Sequence, residues 1–304
     1  MRKIKMAGRG LTDLDGLAAI LTQTETHTHT HTHTHTHTHT HRKPQQPISC
    51  LTSAGGVQSG IFGGRMAKPH SRPYMASLQT RRHHGCGGVL IREDFVLTAA
   101  HCYNSSDPLD DVVLGAHNIS KQEKSQQHIG ISEFIPHPKY PKKKLRNDDP
   151  RTREHDIMLL KLKTKATLNK FVKVLELPKT YGKIRAGEQC EVAGWGKRVH
   201  GREAESVLYE AEVMLDKTAN CEAKWQQYYN QDQMTCSVPD GRGGFCQGDS
   251  GGPLICGKGK AKVLYGVTAY TGAPCDTPEY PEVYTRVPHF LPWIKDVIGV
   301  NDAL

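Results

Sequence analysis

An all-β fold class is what the sequence predicts, on three observations. Glycine and proline number 29 and 17 in 304 residues, so turn signals punctuate the whole chain. Short apolar runs recur between those signals, among them Val89-Leu90-Ile91, Phe95-Val96-Leu97 and Ile157-Met158-Leu159-Leu160, a pattern that favours strands over long helices. No apolar stretch reaches the about 20 residues that a membrane-spanning helix needs. A 37% apolar share and a net charge of +9 suit a basic globular protein, and the length admits one or two domains.

Three motifs carry chemistry, and in chain order they read as follows. Leu97-Thr98-Ala99-Ala100-His101-Cys102 sets a histidine beside a cysteine at the end of an apolar run. His155-Asp156-Ile157 opens a later apolar strand with an aspartate. Gly248-Asp249-Ser250-Gly251-Gly252-Pro253 presents a serine on a tight turn. A nucleophilic serine needs a sharp bend that exposes its hydroxyl, and backbone N–H groups free of side-chain bulk to receive the developing oxyanion. Glycine permits both. Singly, a serine among glycines is a loop, a lone histidine is structural and an aspartate is an ordinary strand-start residue. Together, the order histidine, aspartate, serine separates one group of hydrolases from the others that use these residue types.

With these motifs the region from 61 to about 299 resembles the chymotrypsin/trypsin clan of serine proteases. Val192-Ala193-Gly194-Trp195-Gly196 and Val283-Tyr284-Thr285-Arg286-Val287 match the clan at large. Lys68-Pro69-His70-Ser71-Arg72-Pro73-Tyr74-Met75-Ala76 and Leu114-Gly115-Ala116-His117-Asn118-Ile119 are similar to stretches of its granzyme/chymase branch. The resemblance implies one catalytic domain over 61–304, built of two packed antiparallel six-stranded β-barrels with a short C-terminal helix near 290–294. It implies Ser250 as nucleophile, His101 as general base and acid, and Asp156 as the group that orients the imidazole. The oxyanion hole would be formed by the N–H groups of Gly248 and Ser250. No metal or organic cofactor is required.

The resemblance also implies an activation switch and a substrate pocket. Ile61-Phe62-Gly63-Gly64 is similar to the mature N-terminus of the clan, whose free ammonium would pair with Asp249. No lysine or arginine lies in 44–60, so removal of a Ser59-Gly60 prodipeptide is the expected route. Gly244 stands at the pocket-base position, where trypsin-like members have aspartate. Glu282 stands on the back wall in place of a glycine, where a carboxylate would reach a basic side chain. The alternative is that it points to water or to a local partner. Phe245, Gln247, Tyr270, Thr271 and Gly272 complete the expected substrate-binding set. Ala269 removes a hydroxyl that would support Asp156. Cleavage after Lys or Arg, with some acceptance of Phe or Tyr, is expected.

Nine cysteines with no CxxC pair argue against a zinc site. The family pattern pairs Cys86 with Cys102, Cys190 with Cys256, Cys221 with Cys236 and Cys246 with Cys275, and leaves Cys50. Bridges of this kind persist in oxidising compartments, and Asn104 and Asn118 stand in glycosylation triplets. A secreted or granule protein is therefore expected. Residues 1–60 are expected to be a signal or propeptide region or a mispredicted N-terminus. Residues 27–41 alternate histidine and threonine and hold eight of the 18 histidines. They offer no apolar face, and a repeated AC dinucleotide in DNA would encode them. Residues 1–20 lack the continuous apolar core of a secretory signal, so the first exon is expected to be missing, with 51–56 as the tail of a signal peptide.

The clusters Arg81-Arg82-His83-His84 and Lys142-Lys143-Lys144-Leu145-Arg146 read as solvated loops or as a surface for sulfated glycosaminoglycans. Without interleaved aromatics they do not indicate nucleic acid. Expected partners are protein or peptide substrates and serpin-type inhibitors. A catalytically weak or dead homologue that only binds partners is the alternative from another class.

Overall fold

A computed structural model describes residues 61–299, except 142–152, 180–181, 183, 198–203, 239–242, 258, 260–261 and 276. The 27–41 repeat, Cys50, the 1–60 boundary, the Ser59-Gly60 dipeptide and the 142–146 cluster lie outside the described residues. The apolar runs become strands because each buries at least one face. In β2 (Met75–Thr80), β3 (His83–Arg92) and β4 (Phe95–Thr98), Leu78, Val89, Leu90, Val96 and Leu97 are wholly buried. They are joined by β5 (Asp111–Leu114), β6 (Gln127–Pro136) and β7 (Met158–Leu162). Every neighbouring pair is antiparallel, and the order β2-β3-β4-β7-β6-β5 closes on itself. Closure leaves this barrel no exposed edge.

The remaining strands are β1 (Arg65–Met66), β8 (Gln189–Gly194), β9 (Tyr209–Met214), β10 (Met234–Cys236), β11 (Pro253–Cys256), β12 (Val263–Tyr270) and β13 (Val283–Arg286). They form a seven-stranded sheet in the order β1-β9-β8-β11-β12-β13-β10. The expected second six-stranded barrel is met with a difference. The ladder from β10 to β9 consists of a single Leu215–Ser237 bridge flanked by two bonds. These run from Asp216 N–H to Cys236 O at 2.9 Å and from Val238 N–H to Met214 O at 2.7 Å. β10 is only three residues long, and the bridge falls one residue past the ends of β9 and β10.

Helix α1 (Thr218–Trp225) packs beside β10. Helix α2 (Val287–Ile298) is longer than the expected 290–294 segment and ends at Gly299, which is left-handed at φ 70°, where glycine carries no Cβ penalty. Its Phe290, Leu291 and Ile294 join the barrel residues in one buried cluster. The four expected cysteine pairs are bonded. Cys190–Cys256 ties β8 to the directly opposite position on β11.

Candidate active site

Strand register brings the first two motif residues together. Thr98, the last residue of β4, lies opposite Met158, the first of β7. Residues just after β4 and just before β7 must therefore be neighbours. His101 sits in a single 3-10 turn (Ala100–Cys102) and Asp156 immediately precedes β7. The Asp156 carboxylate accepts from the His101 backbone N–H at 2.8 Å and from Nδ1 at 2.7 Å. A carboxylate only accepts, so Nδ1 carries the ring proton and the neutral ring keeps its lone pair at Nε2. Burial would lower the His101 pKa, but the charge and hydrogen bond of Asp156 outweigh it and the net shift is upward. The His101 side chain remains 34% exposed, against 4% for Asp156, so the imidazole is accessible and the carboxylate is not.

The serine turn arrives from the other sheet. Gly251 N–H donates to Thr268 O at 2.9 Å, and the Thr268 hydroxyl donates to Asp249 O at 2.5 Å. Across to the barrel, Gly87 N–H donates to Ser250 O at 2.8 Å. That carbonyl lies 3.7 Å from Sγ of Cys102, the residue after His101. Gly251 has φ +81°, and a Cβ there would meet Thr98 Oγ1 at 2.1 Å and Gly87 O at 2.5 Å. The turn is thus pressed onto 98–102, with no room for a side chain beside the serine. The Cys86 and Cys102 sulfurs also lie within 4.8 Å of His101, but they are bonded to each other and offer no thiolate to a metal.

The backbone around Gly248 is held by a residue that the sequence pattern groups with surface cations. The ring of His84 turns inward, with Nε2 2.8 Å from Gly248 O and Nδ1 2.9 Å from Ser77 Oγ. A carbonyl only accepts, so Nε2 donates. Burial pushes the pKa of His84 down to about 4, against the Gly248 bond that raises it. His84 therefore contributes no positive charge near neutral pH, which corrects its place in a basic cluster. Arg81 of that cluster faces Asp107 at 3.3 Å. Gly248 itself has φ +96°, and a Cβ there would meet Gly196 Cα at 2.9 Å.

Asp249 is fully buried. Its Oδ1 accepts from Gly196 N–H at 2.7 Å and its Oδ2 from Cys246 N–H at 2.9 Å. Burial pushes its pKa up to about 7, opposed by those two bonds. Ile61 is also fully buried, in a cluster with Val213, Phe245 and Tyr284. Phe62 O accepts from Gly244 N–H at 3.0 Å, so the 61–62 segment leans on the loop that carries the expected pocket base.

Glu282 is 4% exposed and lies against Gly244, where a Cβ would come within 1.8 Å of its Oε1. Its Oε2 accepts from the Tyr284 hydroxyl at 2.8 Å and from Ser237 Oγ at 3.0 Å. Its Oε1 is buried without a complete hydrogen bond. Burial outweighs these donors and pushes the pKa up to about 8, so the free carboxyl is mostly protonated near neutral pH. The expected ionised wall is corrected accordingly. Of the other expected pocket residues, Phe245 is buried edge-on against Tyr284 at 5.2 Å. Gln247 is exposed, and Thr271 is half-buried with a buried, unbonded Oγ1. Gly272 faces Thr277 and Tyr280. Tyr270 donates its hydroxyl to Tyr228 O at 2.7 Å. With Ala269 in place, both described bonds to the Asp156 carboxylate come from His101, while the Thr285 hydroxyl donates to Asp156 O at 2.9 Å. Asn104 is exposed and Asn118 half-buried.

The model of the trypsin family matches residues 61–294. The chain is 42% identical over 253 residues to Granzyme B(G,H) of Mus musculus, covering 81% of this chain and 94% of that protein. It is 44% identical over 240 residues to Granzyme B of Rattus norvegicus, covering 77% and 90%. Among solved structures it is similar to neuropsin, a serine protease expressed in the limbic system of mouse brain. That match has a TM-score of 0.69 and 34% identity, and it covers 78% of this chain and all of that one.

Proposed function

We propose, from the premise that this chain belongs to the trypsin family and is a serine-type endopeptidase, that His101, Asp156 and Ser250 are its catalytic groups. The observation that carries the reading is the two-bond clamp of Asp156 on His101, set beside the Ser250 turn. Ser250 Oγ attacks the scissile carbonyl and its proton passes to His101 Nε2. His101 then gives that proton to the leaving amine, and the acyl-enzyme is hydrolysed by water through the same base. The N–H groups of Gly248 and Ser250 receive the oxyanion, an arrangement worth about 3 kcal/mol per donor in such sites. A fluorophosphonate should label Ser250, and Ser250→Ala should lower kcat by roughly a million-fold without unfolding the domain. Near-normal turnover in that variant removes the assignment, and absent labelling of the processed protein favours the binding-only homologue.

The finer parts of the proposal concern activation, specificity and location. Cleavage between Gly60 and Ile61 frees an ammonium that pairs with Asp249, a buried carboxylate that takes only backbone donors among the described bonds. A lone buried charge is costly and a buried pair selects one conformation, here that of the 243–250 loop. Among the described residues Glu282, which lies against Gly244, is the carboxylate that recognises a Lys or Arg side chain of the substrate, and Tyr270 accepts aromatic ones. The four bridges support an oxidising destination, secretory or granular. Arg82, Asn104 and Asn118 remain the described positions for glycosaminoglycan and glycan, and inhibitors of the serpin type would enter as substrates do.

A further inference from the structure

We infer that Arg153 is a specificity-determining residue that binds an acidic side chain of the peptide substrate within a few residues of the scissile bond. Arg153 precedes Asp156 by three positions. Its segment is anchored to the turn just before β10 by two bonds, His155 N–H to Gln233 Oε1 at 2.8 Å and Asn230 Nδ2 to Glu154 Oε1 at 3.1 Å. The guanidinium carbon stands 4.2 Å from the Tyr270 ring, 5.5 Å from Tyr228 and 5.6 Å from Trp225. The cage walls are themselves fastened. Trp225 Nε1 donates to Pro281 O at 2.8 Å, the Tyr270 hydroxyl donates to Tyr228 O, and Trp225 meets Tyr270 edge-on at 4.8 Å.

Cation–π contact uses the faces of a guanidinium, whereas its five N–H groups lie in the plane. The rings surround the guanidinium without using its N–H groups, and no described hydrogen bond uses them either. Nε is buried and has no hydrogen-bond partner, and among the described residues no carboxylate pairs with this arginine. Arg286 Nε is likewise buried and unpartnered, but the pairing of the other arginines is different. Arg65, Arg72, Arg81 and Arg92 all face carboxylates, and Arg286 donates to the carbonyls of Gln231 and Asp232. A caged, half-exposed cation with no carboxylate partner among the described residues is complementary to a carboxylate, which its terminal N–H groups can meet with two parallel bonds. Its place makes that carboxylate a substrate's. Tyr270 joins the cage to Thr271 and Gly272 at the expected pocket edge, and the charge of Arg153 is felt at His101, whose pKa it lowers.

This inference rests on the triad reading, so the two must fail separately. Fluorophosphonate labelling of the protein beginning at Ile61 tests the triad without any peptide. For the inference, paired peptides carry Glu or Gln at each of the three positions on either side of the cleaved bond. The readout is the Glu/Gln ratio of kcat/KM within one variant, so a general loss of activity cancels. At one position the ratio should be about tenfold and should fall with added salt. It should approach one in Arg153→Met, which keeps much of the side chain's bulk, and fall below one in Arg153→Glu. A ratio within twofold of one at every position in the labelled native enzyme overturns the inference. So does a ratio that survives Arg153→Met. An Arg153→Ala enzyme that gains aromatic or basic residues at that subsite, where the native enzyme shows no acid preference, would make Arg153 a plug of the cage.

Discussion

The proposed role of Glu282 in the pocket predicts a specificity that changes with pH. Its folded pKa is raised to about 8 by burial, so on that proposal the free enzyme holds a neutral acid and a cationic substrate would bind the ionised form. The ratio of kcat/KM for Lys over Phe in the pocket should therefore rise from about pH 6 to about pH 9, and Glu282→Gln should flatten it. An unchanged ratio across that range would separate Glu282 from the substrate. His84 works in the opposite sense. Its pKa is lowered to about 4, so the native state resists protonation while the unfolded chain takes up a proton near 6.5. Its contribution is present above that value and is lost as pH falls toward 4. His84→Phe removes the Gly248 tie. We expect a lower kcat with little change in KM, and a smaller loss of Tm on acidification than in the native protein. A native kcat and an unchanged acid slope in the variant would show that His84 only fills space.

At the scale of an element, the serine turn depends on glycine for two separate reasons. Gly251 needs a positive φ, and it also occupies the only space between Ser250 and the β4 end. Gly251→Ala would have to displace the Gly87 carbonyl, which accepts the Thr98 hydroxyl at 2.8 Å. We expect a destabilisation of about 2–4 kcal/mol from strain and overpacking together. A further loss of activity should follow because the turn moves with the barrel wall. Denaturant melts and kcat on one substrate check both, and a variant of native stability would refute the contact. The motif Gly248-Asp249-Ser250-Gly251-Gly252-Pro253 was legible in sequence because a sharp turn restricts residue choice locally. The inward turn of His84 was not legible. Adjacent basic residues look alike until strand β3 assigns one of them to the buried side.

For the whole molecule, the proposed activation predicts that the unprocessed and processed chains respond differently to pH. Asp249 has its pKa raised to about 7 without an ammonium partner. Between the unfolded value near 4 and that point, the native state holds a proton that the unfolded state has released, so stability falls as pH rises. A free Ile61 ammonium would reverse the cause by favouring the ionised carboxylate. The Tm of the processed protein should therefore fall less from about pH 4 to about pH 7 than that of the unprocessed protein. A chain with one extra methionine before Ile61 should behave like the unprocessed protein and be nearly inactive. Equal pH slopes, or equal hydrolysis with and without the extra residue, would dismiss the switch.

The sequence by itself determined the strand-rich class and the three site motifs, because these rest on run length and turn glycines, whereas the cysteine pairing came from the resemblance to a family and from no local constraint. It also placed Glu282 and Asp249 as residues to watch. Only the tertiary structure decided what those groups face. Closure of the first barrel sets His101 against Asp156 through the β4–β7 register, while the second sheet closes through one bridge just past the three-residue β10. The protonation of Glu282, the neutrality of His84 and the cage around Arg153 depend on residues up to 164 positions apart in sequence, as His84 and Gly248 are. Burial and proximity are properties of the packed chain, and no local pattern encodes them.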